Sequence, residues 1–211
     1  MKKILLTGAS GFLGTRIIKF LGNLEESQLS LVSRKENFST DIRHFCIGDI
    51  DNSTDFSSAL AGKDVVIHTA ARVHKMRENP SEAMTKFRIV NVEGTLNLAR
   101  QALNAGVKRF IFISSIKVNG DQTIGSRAFS EHDVPNPLDP YALSKYEAEQ
   151  GLLEIANFSK MEIVIIRPPL VYGPGVKGNF ATMIKVVKFG LPLPLGLVNN
   201  VRSFVALDNL I

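Results

Sequence analysis

TGASGFLG, residues 7–14, follows directly on the apolar run KKILLT (2–7) and leads into a stretch with helical spacing, Phe12, Leu13, Ile17, Ile18 and Leu21. Gly8 permits a tight turn, Gly11 lets the backbone approach a bound group closely, and Gly14 allows the helix to pack against the strand. A helix that starts after such a turn presents free N–H groups and the positive end of its dipole, which suits phosphate. Strand, glycine turn and helix in this order predict a pyrophosphate cradle for a dinucleotide, with Ser10, Phe12 and Leu13 lying among its glycines.

Outward from that turn, short apolar runs alternate with longer amphipathic segments. The runs cover 2–7, 29–33, 43–48, 64–69, 109–114 and 161–167; they are rich in Ile, Val and Phe and lack polar alternation, as strands covered on both faces do. Helices are expected over 12–22, 53–60 with Ser53 as N-cap, 81–105 ending at Gly106, 141–157 and 180–189. This alternation predicts an α/β fold, a doubly wound parallel sheet with right-handed crossovers. Residues 118–140 form a long loop rich in Pro and Gly, and loops of that length inside a domain are commonly functional. After Pro168-Pro169 the pattern becomes turn-rich. The division is therefore 1–169 as a dinucleotide-binding domain and 170–211 as the start of a smaller substrate lobe, which is expected to continue beyond LDNLI.

Composition narrows the classes. A net charge of +5 comes from dispersed Lys and Arg without an aromatic-basic platform, so an anionic small molecule is expected rather than nucleic acid. No apolar stretch is long enough to span a membrane, and the single Cys46 fits a reducing, cytoplasmic setting as a buried, inert thiol in an apolar run. The four histidines lack metal-ligand spacing, so no metal is expected.

At the end of the second strand, where a carboxylate would bind the ribose hydroxyls of NAD, the chain has Ser33-Arg34-Lys35 and no acid before Glu36. Arg34 suits the 2′-phosphate of NADP, or else stacks on adenine as a loop cation, so NAD and NADP both stay open with a lean to NADP. Asp49 in IGDI, with Ile50 beside it, is placed against the adenine. Tyr141 and Lys145 lie four residues apart on one helix face, where an ammonium, with an oxidised nicotinamide nearby, would lower the pKa of the phenol and make it a base. Ser115, at the carboxyl end of a strand, can hydrogen-bond the same substrate oxygen.

These motifs occur together with GDI, HTAA (68–71), NVEGT (91–95), FISS (112–115), YALSK and RPPLVYGPG (167–175), in order along the chain. The sequence thereby resembles an extended short-chain dehydrogenase/reductase of the NAD-dependent epimerase/dehydratase family, whose members act on nucleotide sugars. The resemblance implies a Rossmann fold and catalytic roles for Ser115, Tyr141 and Lys145. It implies a structural Asn91 on the long helix, a cofactor-side segment at His68, Ala70 and Ala71, and Pro168 beside the nicotinamide. It also places Asn179 and Arg202 at the sugar-nucleotide diphosphate, with Ser115 and Lys117 on the substrate side. A homodimer through helices 81–105 and 141–157 follows from the same likeness.

Three chemistries share such a frame. Dehydratases of the family carry Asp-Glu immediately after the serine, whereas this chain has Ile116 and Lys117, so the acid and base for eliminating water are missing. What remains is a UDP-hexose 4-epimerase of the kind used in bacterial surface-polysaccharide synthesis. The alternatives are an NADP-dependent 4-ketoreductase or dehydrogenase, or a dinucleotide-binding protein without turnover.

Overall fold

A computed structural model describes residues 1–34, 41–73, 80–123, 125, 127–190 and 200–211. Six parallel strands form the main sheet: β1 (Lys2–Thr7), β2 (Ser27–Ser33), β3 (Arg43–Cys46), β4 (Val65–His68), β5 (Arg109–Ile113) and β6 (Glu162–Ile166), in the order β3-β2-β1-β4-β5-β6. Helices α1 (Phe12–Leu21), α2 (Ser57–Leu60), α3 (Pro80–Phe87), α4 (Thr95–Asn104) and α5 (Pro140–Asn157) fill the crossovers. The expected doubly wound α/β architecture is therefore present.

Central strands are apolar throughout because both faces are covered. In β1, Leu5 points into a core with Val66, Leu98, Phe110, Phe112 and Leu152, while Ile4 and Leu6 point the other way, onto Ile17, Leu29 and Leu31. The sheet order reverses between β1 and β4, so the loops leaving their carboxyl ends part and open a crevice there.

Three local expectations change. The helix expected over 53–60 shortens to α2, because Asp51 Oδ1 accepts from the N–H of Ser53 at 2.8 Å and Asp55 Oδ1 accepts from the N–H of Ser57 at 2.8 Å. These side chains capture the backbone before it can wind, so Ser53 is no helix cap. The helix expected over 81–105 is α3 and α4 joined by a π-helical segment, Arg88–Gly94. At its end Gly106 stands at φ +80, its N–H bonds Leu103 O, and Val107 N–H reaches Ala102 O at 3.0 Å, a Schellman closure. Cys46 is exposed rather than buried, because β3 is the sheet edge.

Beyond β6, β7 (Leu170–Tyr172) pairs in parallel with β8 (Phe204–Ala206), with α6 (Asn179–Lys188) between them in sequence. Tyr172, Phe180 and Phe204 cluster with ring centroids 5.5–6.5 Å apart. A last turn, α7 (Leu207–Leu210), lies against α1, where Arg16 Nε meets Asp208 Oδ1 at 2.5 Å. Among the described residues no helix is long and apolar enough to cross a membrane.

Candidate active site

The glycine turn is built as its spacing predicts. Gly8 lies at φ +74, and a Cβ there would stand 2.5 Å from Thr69 Oγ1 and 2.6 Å from Ala70 N. A Cβ on Gly14 would collide with the carbonyl oxygen of Gly8, so the first turn of α1 rests directly on the loop. Gly11 caps α1 without a side-chain hydrogen bond and the first turn carries no acid, so the N–H groups of Phe12, Leu13 and Gly14 lack intrahelical partners. Such a cradle fits the pyrophosphate of a dinucleotide.

A groove of about 760 Å³ runs along this edge of the sheet. Of the residues predicted to hold the cofactor, Gly8, Ser10, Gly11, Arg34, Asp49, Ile50, Ala70 and Ala71 line it. The spacing argument missed Val32, Ile47, Gly48 and Asp51 on the same wall, and Thr69, Arg72, Val73, Lys86, Ile89 and Val90 opposite. Gly48, at φ +71 just after β3, was the signal available for the first group. Arg34 Nη1 contacts Asp49 Oδ1 at 3.2 Å across the mouth, both side chains exposed. The two residues placed separately at the adenosine end thus form one pair. Lys35 and Glu36 lie outside the described residues.

His68 does not line the groove. It is buried beneath it, and the Asn91 side chain is likewise a strut. Asn91 Oδ1 accepts from Arg72 N–H at 2.8 Å, and its amide donates to Arg72 O at 3.1 Å and Ser144 Oγ at 3.0 Å. Ser144 Oγ in turn donates to Tyr141 O at 2.7 Å. The π-helical turn carrying Asn91 therefore couples the groove wall to the start of α5.

Ser115 extends β5 by two residues in extended backbone, and its Oγ accepts from Lys117 N–H at 3.3 Å, capping a 3-10 turn, Ile116–Val118. The N–H of Ile116 donates to Pro168 O at 3.0 Å, so Pro168 stands beside the serine turn. On α5, Asp139 is the N-cap and Pro140 opens the first turn, which sets Tyr141 at the helix start and Lys145 one turn on. Tyr141 meets the Phe87 ring edge-on at 6.1 Å. Lys145 is buried; its ammonium donates to Ile113 O at 2.8 Å and lies 4.4 Å from the Phe112 ring centre.

The protein groups around Tyr141 do not by themselves acidify its phenol. Burial and the Asp139 carboxylate push the phenol up to about 12, while burial pulls Lys145 down to about 7 against the opposing charge of Glu149. Lys117, expected on the substrate side, forms a short ion pair with Asp139. Arg202 is exposed just before β8; Asn179 opens α6, and its side chain lies outside the described residues.

A buried network was not foreseen. Ser114 Oγ donates to Glu149 in a short hydrogen bond, Arg167 Nη2 meets Glu149 Oε2 at 2.5 Å, and Arg167 Nη1 donates to Asn119 Oδ1 at 3.1 Å. It joins the ends of β5 and β6 to α5 one turn past Lys145.

With this geometry in place, residues 4–211 match the NAD dependent epimerase/dehydratase family. The chain belongs to that family. It is 48% identical over its whole length to a UDP-glucose 4-epimerase of Vibrio cholerae, of which it covers 64%. It is 31% identical over 210 residues to the N-acetyl-alpha-D-glucosaminyl-diphospho-ditrans,octacis-undecaprenol 4-epimerase of Escherichia coli O157:H7, covering 99% of itself and 60% of that protein. The chain thus spans a little under two thirds of the length of these curated relatives. Among solved structures, a UDP-glucuronic acid 4-epimerase from Bacillus cereus bound to UDP-glucuronic acid and NAD superposes with a TM-score of 0.81 at 27% identity, over 98% of this chain and 69% of that one.

Proposed function

We propose that the protein is a nucleotide-sugar 4-epimerase acting on UDP-hexoses with NAD, in the cytoplasmic steps of surface-polysaccharide synthesis. One observation carries the reading. Beside the Ser115, Tyr141 and Lys145 set, the two places after the serine hold an apolar side chain and a lysine already paired with Asp139, so no carboxylate stands there to eliminate water. The names of the two curated relatives support the same chemistry.

When bound, the nicotinamide supplies hydride uptake and return at the sugar carbon and, oxidised, a positive charge near the phenol. Tyr141 Oη takes the proton of the 4-hydroxyl and gives it back after the sugar has presented its other face. Ser115 Oγ holds the same oxygen, fixing it against the phenol. Lys145, anchored on Ile113 O, shares its remaining charge with the phenolate.

Tyr141→Phe in the full-length protein is expected to lower kcat by ~10²–10⁴-fold with NAD affinity unchanged. A parallel loss of NAD affinity, or full turnover, overturns the assignment. NAD retained through purification, read by mass spectrometry of the released ligand, supports the epimerase.

Arg34 favours a second reading, an NADP-dependent 4-ketoreductase, because no carboxylate closes β2. If Arg34 serves a 2′-phosphate, Arg34→Ala weakens NADP more than NAD in titration calorimetry. Equal effects leave Arg34 as the partner of Asp49 alone. Helices α3, α4 and α5, with Leu153 exposed, support a homodimer, which sedimentation of the whole protein tests.

A further inference from the structure

One charged cluster beside the reactive side chains has no part in the proton transfer itself: Lys117, Asp139 and Asp121. Asp139 uses both carboxylate oxygens. Oδ1 accepts from Ala142 N–H at 2.8 Å, capping α5, while Oδ2 is held by the Lys117 ammonium, with Asp121 Oδ1 3.9 Å from the same nitrogen. The backbone N–H of Lys117 meanwhile donates to Ser115 Oγ at 3.3 Å. One residue therefore grips the serine turn with its main chain and the helix start with its side chain, across a 22-residue separation that includes the long loop.

We propose that Lys117 is a positioning residue: it clamps the serine turn to the first turn of α5 and offsets the charge of the Asp139 carboxylate, two residues before Tyr141. The assignment rests on Tyr141 serving as the base of the reaction proposed above. The charged groups on the elements that meet at the start of α5 are Asp139 at the helix cap, Lys145 one turn past Tyr141 with Glu149 a turn further, and Lys117 and Asp121 from the serine side, while from α3 the uncharged Phe87 ring meets Tyr141. Asp139 is the carboxylate in this set that raises the phenol, alongside burial. An unpaired carboxylate there holds the proton on Tyr141 more tightly, and a paired one releases it. Where family dehydratases put an acid and a base, this chain has a cation that acts on the tyrosine through a second residue.

The test is an ultraviolet titration of tyrosinate in the full-length NAD-bound protein. The signal of Tyr141 is isolated by difference from Tyr141→Phe, since this chain has three tyrosines. Lys117→Met is expected to move the midpoint up by ~1 pH unit, and Asp139→Ser, which keeps a helix cap without charge, to move it down. In the Asp139→Ser background Lys117→Met should change little, because the group it acts through is gone, whereas with Asp139 in place Lys117→Arg should keep the original midpoint. The pH dependence of kcat should follow the same order. Unmoved midpoints in both single variants overturn the proposal, as does a Lys117→Met shift undiminished in the Asp139→Ser background. A rise in sugar KM with the titration unmoved makes Lys117 a substrate contact instead and also overturns it. The titration needs no sugar, so shifted midpoints without epimerisation would sink only the reaction, not the clamp.

Discussion

The imidazole of His68 lies between two threonine hydroxyls, Nδ1 2.6 Å from Thr7 Oγ1 and Nε2 2.9 Å from Thr95 Oγ1, and stacks on Phe112 at 5.9 Å. It ties the ends of β1 and β4 to the first turn of α4, directly below the parting of the loops. Burial, with the nearby charge of Lys145 in the same direction, pulls it from 6.5 down to about 3. The sign follows from proton counting. Between about pH 6.5 and 3 the unfolded chain binds a proton at His68 that the folded one refuses, so this residue makes stability fall as pH drops through that window. His68→Gln, which can still bond a threonine, should flatten the slope of unfolding free energy between pH 7 and 5 while lowering its level at pH 7. Urea denaturation at the two pH values reads both quantities, and an unchanged slope would count against a buried neutral imidazole.

Along α5, Tyr141, Lys145 and Glu149 stand one turn apart on one face, so the helix presents a phenol, an ammonium and the anchor of the serine strand together. The first two were legible from sequence because their relation is local: four residues on a helix. Glu149 was not, since its partners Ser114 and Arg167 come from the ends of two strands whose adjacency only the sheet order reveals. The same blindness made Cys46 look buried, because an apolar run does not say whether its strand is central or at the edge. The π-helical widening at Arg88–Gly94 was hidden for another reason: helical apolar spacing persists through it, while the change lies in the backbone bonding that turns Asn91 onto Arg72. Glu149→Gln keeps an acceptor for Ser114 but leaves Arg167 without its counter-charge in a mostly buried place. The expected cost is ~3 kcal/mol in urea unfolding, with kcat reduced as the serine strand loosens from α5. Glu149→Asp, retaining charge at a shorter reach, should recover part of both losses, and loss of stability without any loss of kcat would make the network merely structural.

Seen over its full extent, the chain has a main-sheet part whose logic is local and a last segment whose logic is closure. The glycine turn, the Ser115 strand end and the α5 motif each declare themselves within a few residues, which is why the fold class is readable from the sequence. The return of residues 204–211 is not readable in that way. β8 pairs with β7, then Leu207, 2% exposed, fills the notch at Gly173, where an added Cβ would stand 2.9 Å from its own. From there α7 reaches α1 through Arg16 and Asp208, and Ile211 packs against the Ile4 and Leu31 core. This segment thus fastens the β7–β8 pair to the helix that carries the phosphate cradle. Leu207→Ala leaves a cavity at that junction and should cost ~3 kcal/mol. Its damage is directional, because the groove beside Gly8, Ala70 and Asp49 is built from β1, β2, β3 and β4 and does not include Leu207. The full-length variant should therefore bind NAD with nearly unchanged affinity while its KM for a UDP-hexose rises. Calorimetry with NAD and initial rates over a range of sugar concentrations separate the two quantities. An equal fall in NAD affinity would mean that the closing segment also sets the shape of the cradle through α1.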